Sequence, residues 1–441
     1  MIITIHRGID KIGGCITGIE SKNGTKIIID LGHNLPDGDK PSIDPLDKPE
    51  NLDELVNGAS AVFYTHPHGD HLGFESKITE KGIPQYIGEV SKEMMLILKD
   101  SIIFRAKGEK KEKAKAEYDA IKDFITYKAD SPVYIYDKKG NRDITVTPYY
   151  VSHSAPDAYM FVIECDDKKV LHTGDFRDHG YKGIALLPMV NYYITRKNID
   201  VLITEGTMLS RDDKRLTTES ELQEQAASIM KAYDNVFVMC SSTDADRLAS
   251  FFWANKNANP RRHFVVDGYQ WKQLDKITNT LGQGDKRYQL KGALYYNRHK
   301  VEIIENIPQN GVTILVRNNH DFRKIINEVY PLMDPAKTCF VYSQFKGYIL
   351  KTHKAFKQET FDFVHMKDWH IEYLPTSGHA SREALADVCK KVNPRYAIIP
   401  IHRDAGTDFR SLDIPQDLKN KVIDKPTKKL VLANNLEIKI K

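Results

Sequence analysis

Short β-branched runs that stop at a polar residue recur along this 441-residue chain. Residues 26–29 end at Asp30, 61–64 lead to His66, and 143–150 lead to Ser152 and His153. Residues 169–171 precede Asp175, 201–203 precede Glu205, 371–374 precede His379, and 396–401 precede His402. Apolar runs of this length between turn residues predict buried strands. A scaffold that ends many strands on polar groups carries chemistry along one edge of its sheets. Helical stretches intervene over 89–128, from Thr217-Thr218-Glu219-Ser220-Glu221, whose acidic first turn marks a helix start, and from Ser381 onward.

The middle of the chain has a different rhythm. Runs at 236–239, 264–266, 313–316 and 339–342 are each followed by polar or glycine-containing residues and then by helix-like sequence. That alternation predicts a small α/β domain with largely parallel strands. It reads as an insertion, because units of strand and polar terminus lie on both sides of it. The expected division is 1–208 for the first part of a core, 209–370 for the insert and 371–441 for the completion of the core.

Composition excludes some classes. Hydrophobic residues are 41% and charged residues 28%, a globular balance rather than a disordered one. No apolar run approaches the roughly 18 residues of a membrane span. The first residues read as a strand and not as a signal peptide, so the expected location is cytoplasmic with no membrane partner. Five cysteines (15, 165, 240, 339, 389) without a close pair speak against a disulfide framework and against a cysteine-type zinc site. The net charge is only +4, but 256–300 holds ten basic and three acidic residues. There Arg261, Arg262 and Lys272 alternate with Tyr269, Trp271, Tyr288, Tyr295 and Tyr296. Cations that track phosphates, interleaved with rings that stack on bases, suit single-stranded nucleic acid; the same residues also suit a core lined by a solvated rim.

His66-Pro67-His68-Gly69-Asp70-His71 places three imidazoles and a carboxylate in six residues. Imidazole with carboxylate suits Zn, Mn or Fe rather than Ca or Mg. His153, Asp175 and His402, each at a strand end, bring the set to five histidines and two aspartates, enough for two cations. Such a pair holds and deprotonates a water and stabilises charge on the attacked group. Asp30 is placed to orient a ligand histidine from behind.

These residues resemble the metallo-β-lactamase superfamily, whose signature is HxHxDH with a downstream His, Asp and His. The resemblance implies an αββα sandwich, with one metal on His66, His68 and His153, the other on Asp70, His71 and His402, and Asp175 between them. Glu205, His379 and His402 resemble the three further motifs of the β-CASP nucleases, in which a small domain is inserted between the first two. Here 173 residues separate Glu205 from His379. Ser152-His153-Ser154-Ala155-Pro156-Asp157-Ala158 and His172-Thr173-Gly174-Asp175-Phe176 are similar to segments of the ribonuclease J family. Two departures accompany the likeness: the glycine-rich start is reduced to Ile12-Gly13-Gly14-Cys15, and little sequence follows His402.

The expectation is therefore an α/β fold, a metallo-β-lactamase sandwich with an inserted β-CASP domain. Its expected function is a metal-dependent phosphodiesterase that cleaves single-stranded RNA through a hydroxide held by two divalent ions, Zn in the first place and Mn as competitor. Asp70, Glu205 and His379 are the candidate catalytic residues, with His379, oriented by Glu205, as proton donor to the leaving oxygen. Ser241, Ser242, Ser343, Ser377 and Ser381 are candidate phosphate contacts, beside Arg261, Arg262 and Lys272. DNA as substrate and a homodimer stay open. Two alternatives remain: a lactone or thioester hydrolase on the same core, which would not need the insert, and a non-catalytic RNA-processing scaffold, which would not need every ligand position filled.

Overall fold

A computed structural model describes residues 1–36, 38–40, 44–211, 216–432 and 435–441. The chain divides into two compact units: Met1–Leu35, Ser42–Leu216 and Gly378–Lys441 form the first, Pro36–Pro41 and Thr217–Ser377 the second. Among the described residues no helix is long and apolar enough to cross a membrane.

The first unit packs two sheets face to face. One has eight strands in the order Thr427–Val431, Glu437–Ile440, Ile2–Arg7, Ile16–Glu20, Lys26–Ile29, Ala59–Phe63, Gln85–Gly88 and Ile125–Tyr127. The other has six: Ala397–Ile401, Val201–Glu205, Lys168–His172, Ala158–Cys165, Arg142–Val151 and Val133–Tyr136. The uninterrupted apolar runs are explained by burial on both faces. Successive side chains of a strand point to opposite sides. Ile27 and Ile29 thus join Phe161, Val201 and Ile399 between the sheets, while Ile28 turns outward onto Leu52 and Val56 of the helix Pro49–Val56. In the second sheet Val201 and Ile203 face inward, and Leu202 packs on Leu385 and Val388 of the helix Arg382–Val392. Helices on both outer faces complete an αββα sandwich.

Lys168–His172, Val201–Glu205 and Ala397–Ile401 run parallel in register, and Lys26–Ile29 runs parallel to Ala59–Phe63. Parallel strands finish at the same edge, where open α/β sheets place their ligands. Asp30, His66, Asp175, Glu205 and His402 all follow or close these strands.

The second unit holds six strands, all parallel, in the order Ala293–Tyr295, His263–Val266, Val312–Val316, Asn235–Met239, Thr338–Tyr342 and His370–Tyr373. Its first helix, Glu219–Ala232, opens with a capping box in which Thr218 and Glu221 satisfy each other's backbone N–H. The two ends of its long segment meet, since Thr376 Oγ1 donates to the carbonyl of Thr217. The unit's limits differ from the expected 209–370. Residues 209–216 stay with the sandwich. Strand His370–Tyr373, expected to lead the core's completion, instead pairs with Thr338–Tyr342 in the inserted sheet. A four-residue, half-exposed edge strand carries no signal of which sheet it joins.

Candidate metal centre

Asp30 closes its strand in a left-handed conformation, φ 55°, with its carboxylate fully buried. Oδ1 accepts from the backbone N–H of Thr65 at 2.7 Å, and Oδ2 stands 2.8 Å from His71 Nδ1. The aspartate pins both ends of the histidine loop. Within the loop the N–H groups of His71 and Leu72 both donate to the carbonyl of His68, which turns 66–71 back on itself. Gly13 and Gly32 let neighbouring chain come this close: a Cβ on Gly32 would stand 1.8 Å from the Asp70 carbonyl oxygen, and one on Gly13 2.7 Å from Leu35.

His66 Nε2 and His153 Nε2 each lie 3.1 Å from His68 Nδ1, and His66, His68 and His153 form a set whose ligand atoms are within 4.8 Å of one another. His153 is aimed by its Nδ1, which donates to the carbonyl of Gly378 at 2.6 Å. Burial and the neighbouring imidazoles hold His66 and His153 well below the usual histidine range. Neutral imidazoles packed together with lone pairs inward are what a cation requires.

Beside this trio, His71 Nε2 lies 3.2 Å and His402 Nε2 3.6 Å from Asp175 Oδ2, and Asp70 Oδ2 is 3.2 Å from His402 Nε2. Burial opposes a proton on His71, yet the Asp175 and Asp30 carboxylates outweigh it and raise His71 well above its ordinary range. Conversely, burial would raise Asp175, but His402, His71 and His379 hold it well below the carboxylate range. Asp175 belongs to two clusters, one with His66 and His71, the other with Glu205, His379 and His402. His71 Nε2 is buried and makes no hydrogen bond. A buried ring nitrogen that faces a buried carboxylate without a hydrogen bond between them suits a cation held by both.

Glu205, buried at the end of its strand, accepts from the backbone N–H of Phe176 at 2.9 Å and of Ala380 at 3.3 Å. Its Oε2 stands 3.1 Å from His379 Nδ1. Thr207 was not foreseen. Its hydroxyl lies 2.7 Å from His402 Nδ1 and 3.2 Å from His379 Nδ1, bridging the two rings. Its place two residues beyond Glu205 was the available signal. A second residue not foreseen is Cys15, whose sulfur forms a cluster with His71 and His402. His172, adjoining the site, is structural: its ring contacts Thr17 Oγ1 and the Gly174 N–H.

The candidate substrate contacts fare differently. Arg262 is buried, and its guanidinium donates to the carbonyls of Met230 and Tyr233. It braces the inserted unit rather than meeting a phosphate. Tyr269, Tyr288 and Tyr296 are buried, so the expected stacking face is mostly core; Trp271 is exposed, as are Arg261 and Lys272. Ser343 is likewise internal, donating to the Leu374 carbonyl and accepting from Arg247. Ser242 accepts from Gln270 and Ser241 pairs with Thr243. Ser381 caps the helix Arg382–Val392 and donates to Asp178. Ser377 is half-buried at the limit of the inserted unit.

Residues 17–193, which include the histidine loop, His153 and Asp175, match the family model of the metallo-beta-lactamase superfamily. The chain carries a metallo-β-lactamase domain. Residues 367–405, which include His379 and His402, match the model described as the Zn-dependent metallo-hydrolase RNA specificity domain. A protein named probable RNase MJ4, from Methanocaldococcus jannaschii, is 22% identical over 369 residues, covering 79% of this chain and 82% of its own. Ribonuclease J of Mycoplasma genitalium is 24% identical over 204 residues, covering 45% of this chain and 32% of its own length. This chain thus spans about a third of that ribonuclease J. A crystal structure of a protein of unknown function from Enterococcus faecalis V583 matches 98% of this chain and 99% of its own, at 16% identity and a TM-score of 0.68, a likeness of fold.

Proposed function

We propose that this protein is a metal-dependent ribonuclease that hydrolyses phosphodiester bonds of single-stranded RNA at the edge of its sandwich. The observation that carries this reading is the adjacency of the Glu205–His379 pair to the histidine–aspartate cluster, with Asp175 Oδ2 3.5 Å from His379 Nδ1. A cation site alone suits many hydrolyses; a proton donor poised beside it, within a segment like an RNA specificity domain, suits cleavage of an ester with a poor leaving group. His66, His68 and His153 would hold one divalent ion, and His71, His402 and Asp70 the other, with Asp175 shared. The donor set fits Zn first and Mn second. The two ions would supply Lewis acidity and a nucleophilic water at neutral pH.

The chain's own residues do the rest. Asp30 and Thr207 fix the ring planes of His71 and His402 through their Nδ1 atoms. Glu205 holds His379 by Nδ1, leaving Nε2 to pass a proton to the departing 3′ oxygen. The rings around Asp70 and the buried Asp175 balance their charge and hold both carboxyls below the usual carboxylate range. The test is a denaturing-gel time course on 5′-labelled single-stranded RNA and matching DNA, with Zn²⁺ or Mn²⁺ supplied and His68→Ala as control. Metal-dependent cleavage of RNA that the variant lacks is expected. A protein with both metals bound that leaves RNA intact overturns the proposal.

A further inference from the structure

Cys15 sits in the loop between the strands Ile2–Arg7 and Ile16–Glu20, fully buried. Its backbone N–H donates to the carbonyl of Asp70 at 3.1 Å, which ties the thiol's loop to the histidine loop. The opposite side is held as closely: the N–H of His402 donates to the Gly8 carbonyl at 2.7 Å. A Cβ on Gly8 would stand only 3.0 Å from Cys15 Sγ, at a φ of 107° that itself favours glycine, so the chain leaves room for the sulfur. Sγ and one ring nitrogen from each of His71 and His402 lie within 4.8 Å of one another. The Nδ1 atoms of both rings face other partners, Asp30 and Thr207, so Nε2 is the atom each ring offers to a cation. His71 Nε2 is buried and makes no hydrogen bond, though it stands 3.2 Å from Asp175 Oδ2, as a ring nitrogen turned toward a shared cation would. Asp70 Oδ2 reaches the same position, 3.2 Å from His402 Nε2.

We infer that Cys15 is a thiolate ligand of the second metal ion, beside His71 and His402, and that it biases this position toward zinc. The inference rests on the metal-centre reading above and does not depend on what the enzyme cleaves. Ligand atoms around a zinc ion stand roughly 3.5 Å apart, so a shift of about an ångström brings atoms held within 4.8 Å to ligand spacing, and with the carboxylates the ion would be five-coordinate. On binding, the thiol proton leaves to solvent and the sulfur takes the cation in its place. A soft sulfur donor discriminates against Mn²⁺ in a way that imidazole and carboxylate alone do not.

The test uses the full-length protein loaded with two equivalents of Co²⁺. The expected result is an intense near-ultraviolet sulfur-to-cobalt charge-transfer band, lost in Cys15→Ser at equal cobalt content. In parallel, competitive titration of the unmutated protein and Cys15→Ser is expected to show the preference for Zn²⁺ over Mn²⁺ falling about tenfold or more. The spectrum of the unmutated protein needs no variant to fold. Two bound cobalt ions with only ligand-field bands overturn the inference, as does a charge-transfer band that survives Cys15→Ser. A cobalt–sulfur band in a protein that leaves RNA uncut would uphold the ligand while removing the ribonuclease reading, so the two fail separately.

Discussion

Asp30 is fully buried, and its carboxylate holds Thr65 on one side and His71 on the other. Replacing it by Asn should weaken binding at the second metal position by about 10–100-fold, read by competition with a chromophoric chelator, while the fold persists. His379→Ala should leave metal content unchanged and slow RNA cleavage by about a hundredfold or more; unaltered turnover would remove it from the mechanism. Arg262 makes the contrasting case. Arg262→Ala leaves the carbonyls of Met230 and Tyr233 without their donors and should cost about 2–3 kcal/mol, whereas Arg261→Ala at the exposed neighbour should shift Tm hardly at all. These differences follow what the sequence can carry at this scale. His66 to His71 are legible because six consecutive residues concentrate four potential ligands. Cys15 is not, because its partners are dozens and hundreds of residues away and no local spacing announces them. The reading of 256–300 as a stacking face fails for a related reason: Tyr269 and Trp271 lie two apart on one helix, and only packing decides that the first is buried and the second exposed.

Elements were more legible than contacts. Runs such as 26–29 and 201–203 read as strands ending on polar groups, and so they are, because burial on both faces demands an unbroken apolar stretch. The edge strand His370–Tyr373 has no such pressure, and its pattern does not show that it pairs in the inserted sheet. Helix starts were clear where side chains close them. Thr218→Ala, which opens the capping box of Glu219–Ala232, should cost about 1 kcal/mol by chemical denaturation. Strand Ile2–Arg7 contributes a pH dependence. Burial, then Lys441 and Lys26, pushes His6 down to about 4. The unfolded chain, with an ordinary histidine, takes up this proton first as pH falls. His6 therefore supports the fold above about pH 6.5, and its contribution is lost as pH drops toward 4. His6→Gln should flatten that part of the stability profile between pH 6.5 and 4, as followed by urea midpoints.

At the scale of the molecule, the two units have separate cores, and among the described residues the candidate metal ligands all belong to the first. A cation that binds only the folded sandwich stabilises it by mass action, about 4 kcal/mol at a thousandfold excess over Kd. Removing it with a chelator should lower the sandwich's calorimetric transition and leave that of the inserted unit in place; a joint shift of both would contradict the division. The change in rhythm at mid-chain points to an insertion, while limits at 216/217 and 377/378 follow from packing and from the pairing of His370–Tyr373, which no local pattern shows. The hydrogen bond from Thr376 to Thr217 closes the inserted segment on itself. On a ribosome this has a temporal meaning. The inserted segment emerges whole while the sandwich still lacks the strand Ala397–Ile401 and His402. The set of candidate ligands is complete only once His402 has emerged, after the whole inserted segment, so metal capture has to follow the synthesis of that segment rather than accompany that of the histidine loop.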